Sequence, residues 1–171
     1  GTKLKITALI NSHKAPHMTD IMSAGVDVYE NGRYSKSFYS KSGFLNAEMI
    51  FQTEGSKTID VYLPLYGDVK DINFFVEEGS ESHVPKLNKN VVLYYGSSIT
   101  QGCCASNPGM SYPAIVSRKL GVEQINLGFV GNGLGDLEIA KYITELNPKL
   151  IVLDYWANPS VELYRDTLPV F

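Results

Sequence analysis

The second half of the chain alternates short apolar runs with helix-length segments, and this alternation constrains the fold more than any other feature. Apolar strands are predicted at residues 91–95, 124–127 and 150–154. Helices are predicted between them at 111–120 and 137–146. A strand–helix–strand–helix–strand order at this spacing predicts a parallel sheet with right-handed crossover connections.

Local signals support the two predicted helices. Pro113 is tolerated because it falls in the first turn. Asp136 is placed to cap the start of the second helix, and Asn147 with Pro148 ends it.

The first half of the chain has a different pattern, with short β-rich runs separated by turn residues such as Asn31-Gly32. Regular short strands with this punctuation predict an antiparallel β-sandwich. The residues 50–62 predict a hairpin, because two β-rich runs flank a turn that contains Gly55. The predicted strands are 4–10, 35–39, 47–52, 58–63 and 72–76.

Two domains are therefore expected. Residues 1–85 form a jelly-roll-like β-sandwich module, and residues 86–171 form an α/β domain. The polar segment 81–90, which contains Pro85, is the predicted linker.

Composition excludes several classes of protein. The 171 residues are 44% hydrophobic and 19% charged, which is typical of a globular protein rather than a disordered one. A net charge of −3 with scattered basic residues argues against nucleic acid as a partner. The sequence has no apolar run long enough for a membrane span. The compartment stays open; a secreted or periplasmic protein whose signal peptide has been removed fits a start at Gly1.

Each strand of the second half runs into a loop of small or polar residues, at 96–102, 128–133 and 155–159. In a parallel sheet these loops emerge at one edge, which is the ligand side of open α/β sheets. Ser98 stands where a serine nucleophile is presented. The backbone N–H groups of Ser98 and Gly131 and the side-chain amide of Asn158 are suitable donors to an oxyanion.

Each of these features also has a purely structural interpretation. Glycine and serine are good turn formers, and Asn158 before Pro159 is a common turn opener. The loop 128–133 departs from the G-x-G-x-x-G dinucleotide pattern. Three roles are open for Asp154: a ligand, an acid, or a residue that ties down a loop.

The cysteines of the chain are the neighbours Cys103 and Cys104. Adjacent cysteines exclude an ordinary disulfide framework. Neither has an evident partner base in the sequence nearby, so small half-buried side chains are favoured over a catalytic thiol.

The three loops with their flanking strands resemble the sequence blocks of the GDSL-like lipase/acylhydrolases, also called SGNH hydrolases. The matching blocks are residues 95–102, 125–133 and 152–158. One bacterial branch of the family is also similar to this chain at residues 108–113 and 117–118. That branch carries a β-rich N-terminal module whose signature is similar to Gly25-Val26-Asp27-Val28-Tyr29, followed by a segment like 62–66.

The resemblance implies a flavodoxin-like, three-layer α/β hydrolase domain. It also implies that the domain acts on esters, often acyl groups on carbohydrates, without a metal or cofactor. It implies Ser98 as the nucleophile and Gly131 and Asn158 as oxyanion donors beside the Ser98 N–H. Two positions depart from the family: Ser97 replaces an aspartate and Ala157 replaces a common glycine. Neither departure removes a proposed donor.

A third departure concerns the general base, because the family's Asp-x-x-His motif has no counterpart in this chain. The histidines are His13, His17 and His83, all in the β-rich half. Two explanations compete: the hydrolase domain is incomplete here, or the chain is a non-catalytic carbohydrate-binding or interaction module. The first is favoured, since 161–167 opens a further helix and a three-stranded parallel sheet leaves an exposed edge. A base supplied by His17 or His83 is a third alternative.

Overall fold

A computed structural model describes residues 1–86 and 88–171, and these divide into two units. The first unit comprises residues 1–86 together with 104–109, and the second comprises 88–103 and 110–171. The predicted linker 81–90 has no helix or strand over its described residues, and its residue 87 lies outside them. The return of the chain to the first unit at 104–109 has no counterpart in the sequence prediction.

The first unit contains two antiparallel three-stranded sheets, with strand orders β4-β1-β6 and β3-β2-β5. Its one regular helix among the described residues is the short α1 (Asp20–Ala24) between β1 and β2. The strands are β1 (Lys3–Ser12), β2 (Val26–Glu30), β3 (Arg33–Phe38), β4 (Phe44–Ile50), β5 (Ile59–Tyr62) and β6 (Gly67–Val76).

Both sheets contribute to one hydrophobic core. Strand β1 buries every second residue, as a strand with one face on a core does. Strand β4 shows the same alternation, with its intervening residues exposed. The shared core contains Leu4, Ile6, Ala8 and Ile10 of β1, Val26 and Val28 of β2, and Leu45, Ala47 and Met49 of β4.

The predicted hairpin over residues 50–62 is wrong. Strand β4 pairs with β1, whereas β5 pairs with β2 in the other sheet, so residues 51–58 carry the chain from one sheet to the other. Two β-rich runs around a glycine turn do not determine their partners. The tight hairpin is β2–β3, where Asn31 (φ 51°) and Gly32 (φ 75°) adopt the left-handed conformation that a two-residue turn requires.

Strand β2 was not predicted from the sequence. Its residues 26–29 are all buried, and they include the charged residue Asp27, whose burial depends on partners far along the chain.

The second unit contains a parallel sheet, as predicted, and its strand order is β8-β7-β9. Gly96 at the end of the central strand pairs with Gly128 on one side and Asp154 on the other. The strands are β7 (Val91–Gly96), β8 (Glu123–Gly128) and β9 (Leu150–Asp154). The helices are α2 (Ser98–Gln101), α3 (Tyr112–Leu120), α4 (Leu137–Leu146) and α5 (Val161–Thr167), and a 3₁₀ turn spans Pro108–Met110.

The helix ends follow local chemistry. Pro113 lies in the first turn of α3, and Asn147 ends α4 in the left-handed conformation. Asp136 occupies the N-cap position of α4, but its side chain makes no capping hydrogen bond. Among the described residues, no helix combines the length and apolar character needed to cross a membrane.

Candidate active site

The central strand β7 ends at Gly96, and α2 begins two positions later at Ser98, which is half-buried. Ser97 is the N-cap residue, and its hydroxyl accepts the Ile99 N–H at 3.2 Å. The Ser98 carbonyl accepts N–H groups from Gly102 at 3.0 Å and Cys103 at 2.8 Å. These bonds define the backbone on both sides of the predicted nucleophile.

Close backbone packing explains the glycine at position 96. A Cβ there would lie 2.0 Å from Thr100 Oγ1 and 2.6 Å from the Asp154 carbonyl oxygen. No side chain fits at that distance. The end of β7 therefore packs directly against both α2 and the end of β9.

A buried polar network joins α2 to the end of β9. Asp154 Oδ2 accepts hydrogen bonds from Thr100 Oγ1 at 3.0 Å and Tyr112 OH at 2.9 Å. Thr100 is fully buried. Burial raises the pKa of the Tyr112 phenol to about 12, so this group keeps its proton and donates at neutral pH. Of the three roles considered for Asp154, the observed contacts are those of a residue that ties down a loop.

The loop after β8 lies against the same turn. The Phe129 N–H donates to the Gly96 carbonyl at 2.9 Å, and the Val130 N–H donates to Gln101 Oε1 at 2.9 Å. Gly131 follows, exposed and with φ of +69°. The space around it is open, since a Cβ there would have no neighbour within 4 Å.

The loop after β9 joins the other two through Asn158. The Gly133 N–H donates to Asn158 Oδ1 at 3.2 Å. A Cβ on Gly133 would lie 2.6 Å from the Gly96 carbonyl oxygen, so Gly133 is itself in close contact with the end of β7. The Gly133 bond uses Oδ1 of Asn158, and the amide nitrogen Nδ2 is a separate donor group. Ser98 at the start of α2, and Gly131 and Asn158 in the loops after β8 and β9, thus belong to three segments that follow the strands at the carboxyl edge of the sheet.

The histidines all belong to the first unit, and the second unit's described residues contain none. His13 Nε2 lies 3.0 Å from Asp68 Oδ2, and both side chains are exposed. The hydrogen bond from His13 lowers the pKa of the Asp68 carboxyl. Sequence reasoning missed this pair, because the partners are 55 positions apart and match no motif.

Sequence comparison identifies the family. Residues 88–170 match the GDSL-like Lipase/Acylhydrolase family, and residues 2–81 match the N-terminus of the SGNH-hydrolase-type esterases. The two matches are consecutive and account for most of the chain. Residues 88–170 belong to the GDSL-like lipase/acylhydrolase family. A comparison with curated proteins finds no match.

Solved structures share the fold. A protein named for its likeness to GDSL lipases, from Bacteroides ovatus ATCC 8483, superimposes with a TM-score of 0.85 at 28% identity over 96% of this chain. A salicylyl-acyltransferase from a tetracycline biosynthetic pathway has a TM-score of 0.70 at 21% identity over 90%. A family two carbohydrate esterase from Clostridium thermocellum has a TM-score of 0.66 at 18% identity over 92%. The chain covers 51%, 46% and 57% of these three proteins, so it spans about half of their length.

Proposed function

We propose that the native protein is a serine ester hydrolase whose nucleophile is Ser98. The observation that carries the proposal is the junction of three loops at one sheet edge, where Gly133 contacts both the end of β7 and Asn158. This junction brings the turn that bears Ser98 together with two loops that offer hydrogen-bond donors. Acyl esters of carbohydrates are the proposed substrate class, which the family resemblance favours.

In the proposed reaction, Ser98 Oγ attacks the acyl carbonyl carbon and its proton passes to a general base. The carbonyl oxygen becomes an oxyanion, which accepts hydrogen bonds from the Ser98 and Gly131 N–H groups and from Asn158 Nδ2. Collapse of the tetrahedral intermediate expels the alcohol, which takes the proton from the base. Water then hydrolyses the acyl-serine in the reverse sequence of proton transfers and restores Ser98.

Two features of the loops support the oxyanion assignment. Open space around Gly131 allows a substrate oxygen to approach its backbone closely. The bond from Gly133 holds the Asn158 amide through its oxygen Oδ1 and does not use the donor nitrogen Nδ2. Donors positioned before the reaction need no reorganisation when charge develops.

The general base in this proposal is a histidine oriented by an aspartate in a segment that follows Phe171. Serine needs such a base, and the second unit offers no histidine among its described residues. We further propose that residues 1–85 form a β-sandwich module and that residues 86–171 belong to the hydrolase domain. The shared core of the two antiparallel sheets supports the first assignment.

The Asn158→Ala variant tests the oxyanion assignment in the native gene product, including any residues beyond the present chain. Loss of one oxyanion donor is expected to lower kcat about 10²–10³-fold, with little change in KM. The matched control is Asn46→Ala, because Asn46 is exposed on β4 of the first unit. An unchanged kcat in Asn158→Ala would contradict the role given to this residue.

The location of the base is tested by comparing the 171-residue chain with a C-terminally extended form on p-nitrophenyl acetate. Activity that appears only in the extended form supports the proposal. Activity of the 171-residue chain itself contradicts the proposed location of the base. No activity in either form, with sugar binding retained, would favour the carbohydrate-binding module instead.

A further inference from the structure

Strand β2 is buried on both of its faces. Val26 and Val28 point into the shared core of the two sheets. Side chains alternate along a strand, so Asp27 and Tyr29 lie on the opposite face. On that face they contact residues 104–109, here called the strap, which the chain sends back into the first unit.

Asp27 is the main polar attachment of the strap. Its Oδ2 accepts the Gly109 N–H at 2.7 Å and Asn107 Nδ2 at 2.5 Å. Its Oδ1 accepts the Ser37 hydroxyl from the neighbouring strand β3 at 2.5 Å. Asp27 is fully buried, so these three donors replace the water that a carboxylate otherwise requires.

The strap also fits the surface beside Asp27. A Cβ on Gly109 would lie 2.6 Å from the Tyr29 ring, so only glycine lets the strap come this close. Thr19 Oγ1 donates to the Ser106 carbonyl at 2.9 Å. The aspartate and tyrosine of the Gly25–Tyr29 signature are therefore the residues that receive the strap.

The strap continues directly from the turn that carries Ser98. Gly102 and Cys103 precede its first residue, and both donate their N–H groups to the Ser98 carbonyl. Cys104 then enters the strap with φ of +65°, a conformation that is uncommon for residues other than glycine. A strap held at Gly109 and Asn107 thus restricts the backbone that follows Ser98.

We propose that Asp27 is a positioning residue for Ser98: by binding the strap, it holds the nucleophile turn in its reactive geometry. This inference rests on the proposed esterase function. It gives the Gly25–Tyr29 signature a structural role that does not depend on a ligand bound by the first unit.

Four variants of the native gene product separate positioning from general stability. Asp27→Ala removes the carboxylate that accepts from Asn107 and Gly109, and Asn107→Ala removes the Asn107 bond while leaving Asp27 in place. Asp27→Asn is the conservative change, because one amide oxygen still accepts from the strap and the amide nitrogen can donate to the Ser37 hydroxyl. Ser37→Ala is the matched control, since it removes a bond to the same carboxylate from β3 rather than from the strap.

Two measurements are made on each variant: kcat and KM for p-nitrophenyl acetate, and amide hydrogen exchange over residues 104–109. Displacement of a reacting group by about 1 Å can cost on the order of 10²-fold in rate. We expect Asp27→Ala and Asn107→Ala to lower kcat at least about tenfold, with KM within about twofold, and to speed exchange in the strap. Asp27→Asn restores most of kcat, and Ser37→Ala changes neither quantity.

Each other outcome overturns a defined part of the inference. Unchanged exchange in both Asp27→Ala and Asn107→Ala shows that Asp27 does not hold the strap. Faster exchange with unchanged kcat, or with a rise in KM alone, shows that the strap does not position Ser98. If Asp27→Ala does not fold, Asn107→Ala decides both points. A wild-type protein without esterase activity refutes the proposed function and the positioning role together, and exchange alone then decides the strap contact.

Discussion

The substitution Thr100→Val examines the polar network beneath the nucleophile turn. Valine has nearly the shape of threonine, so the change removes the hydroxyl of this fully buried residue with little change in volume. Two contacts are lost: Thr100 Oγ1 donates to Asp154 Oδ2 at 3.0 Å, and it lies 3.2 Å from Tyr112 OH. We expect the second unit to lose stability.

The magnitude follows from the partners that remain. A hydrogen bond to a charged group contributes about 1.5–3 kcal/mol net. Asp154 Oδ2 keeps its bond from Tyr112 OH after the substitution, so a loss near the lower end, about 1.5 kcal/mol, is expected. Tyr112→Phe should cost a similar amount. The double variant should exceed the sum of the single effects by about 1 kcal/mol, because the carboxylate oxygen then loses both donors.

Urea unfolding followed by far-ultraviolet circular dichroism measures the effect, since α3, α4 and α5 all belong to the second unit. Thr144→Val is the matched control, because Thr144 is an exposed threonine on α4 whose hydroxyl donates to the Lys141 carbonyl. Its replacement should change the free energy of unfolding by less than about 0.5 kcal/mol. A loss below about 0.5 kcal/mol for Thr100→Val, or strict additivity with Tyr112→Phe, would refute the view that Thr100 and Tyr112 jointly anchor Asp154.

Three further results are expected. Gly133→Ala should lower ester turnover of the native gene product at least about tenfold, because its Cβ would meet the Gly96 carbonyl oxygen at 2.6 Å. Normal turnover would show that the close contact between Gly133 and the end of β7 is not needed for activity. Burial raises the pKa of Tyr112 from 10.0 to about 12. The contribution of this group to stability is therefore complete below pH 10 and is lost as the pH rises through about 12. Urea unfolding in this range should show a pH dependence that the Tyr112→Phe variant lacks. Gly32→Ala should destabilise the first unit by about 1–2 kcal/mol in thermal unfolding, since Gly32 has φ of +75°. An unchanged melting temperature would contradict the two-residue turn assigned between β2 and β3.

Prediction from the sequence was most accurate where local signals coincide. The bounds 137–146 and 150–154 match α4 and β9, because Asn147 and Pro148 separate a helical period from an apolar run. Strand β2 was missed, and the burial of its Asp27 depends on partners that are distant in the chain. The hairpin over 50–62 was wrong because a turn signal between two β-rich runs does not state which sheet each run joins.

The candidate site shows the same division. The sequence predicted the parallel sheet and the segments that follow its three strands, and Ser98, Gly131 and Asn158 belong to those segments. It did not predict that the first segment contains the short helix α2, which begins at Ser98. The contacts of Asp154 with Thr100 and Tyr112 could not be predicted from the sequence, because they join positions 54 and 42 residues apart. The same is true of Asp27, whose partners Asn107 and Gly109 lie 80 and 82 positions away.

The sequence by itself determined the local periods of burial, the positions of most strands and helices, and the loops that carry the candidate site. These properties depend on neighbouring residues, because side-chain alternation and helical period are set within a few positions. Only the tertiary structure decided which strands pair, how the carboxylates of Asp27 and Asp154 are satisfied, and where the strap is held. Those outcomes depend on burying polar groups with partners that are distant in the chain, and no local pattern encodes such partners.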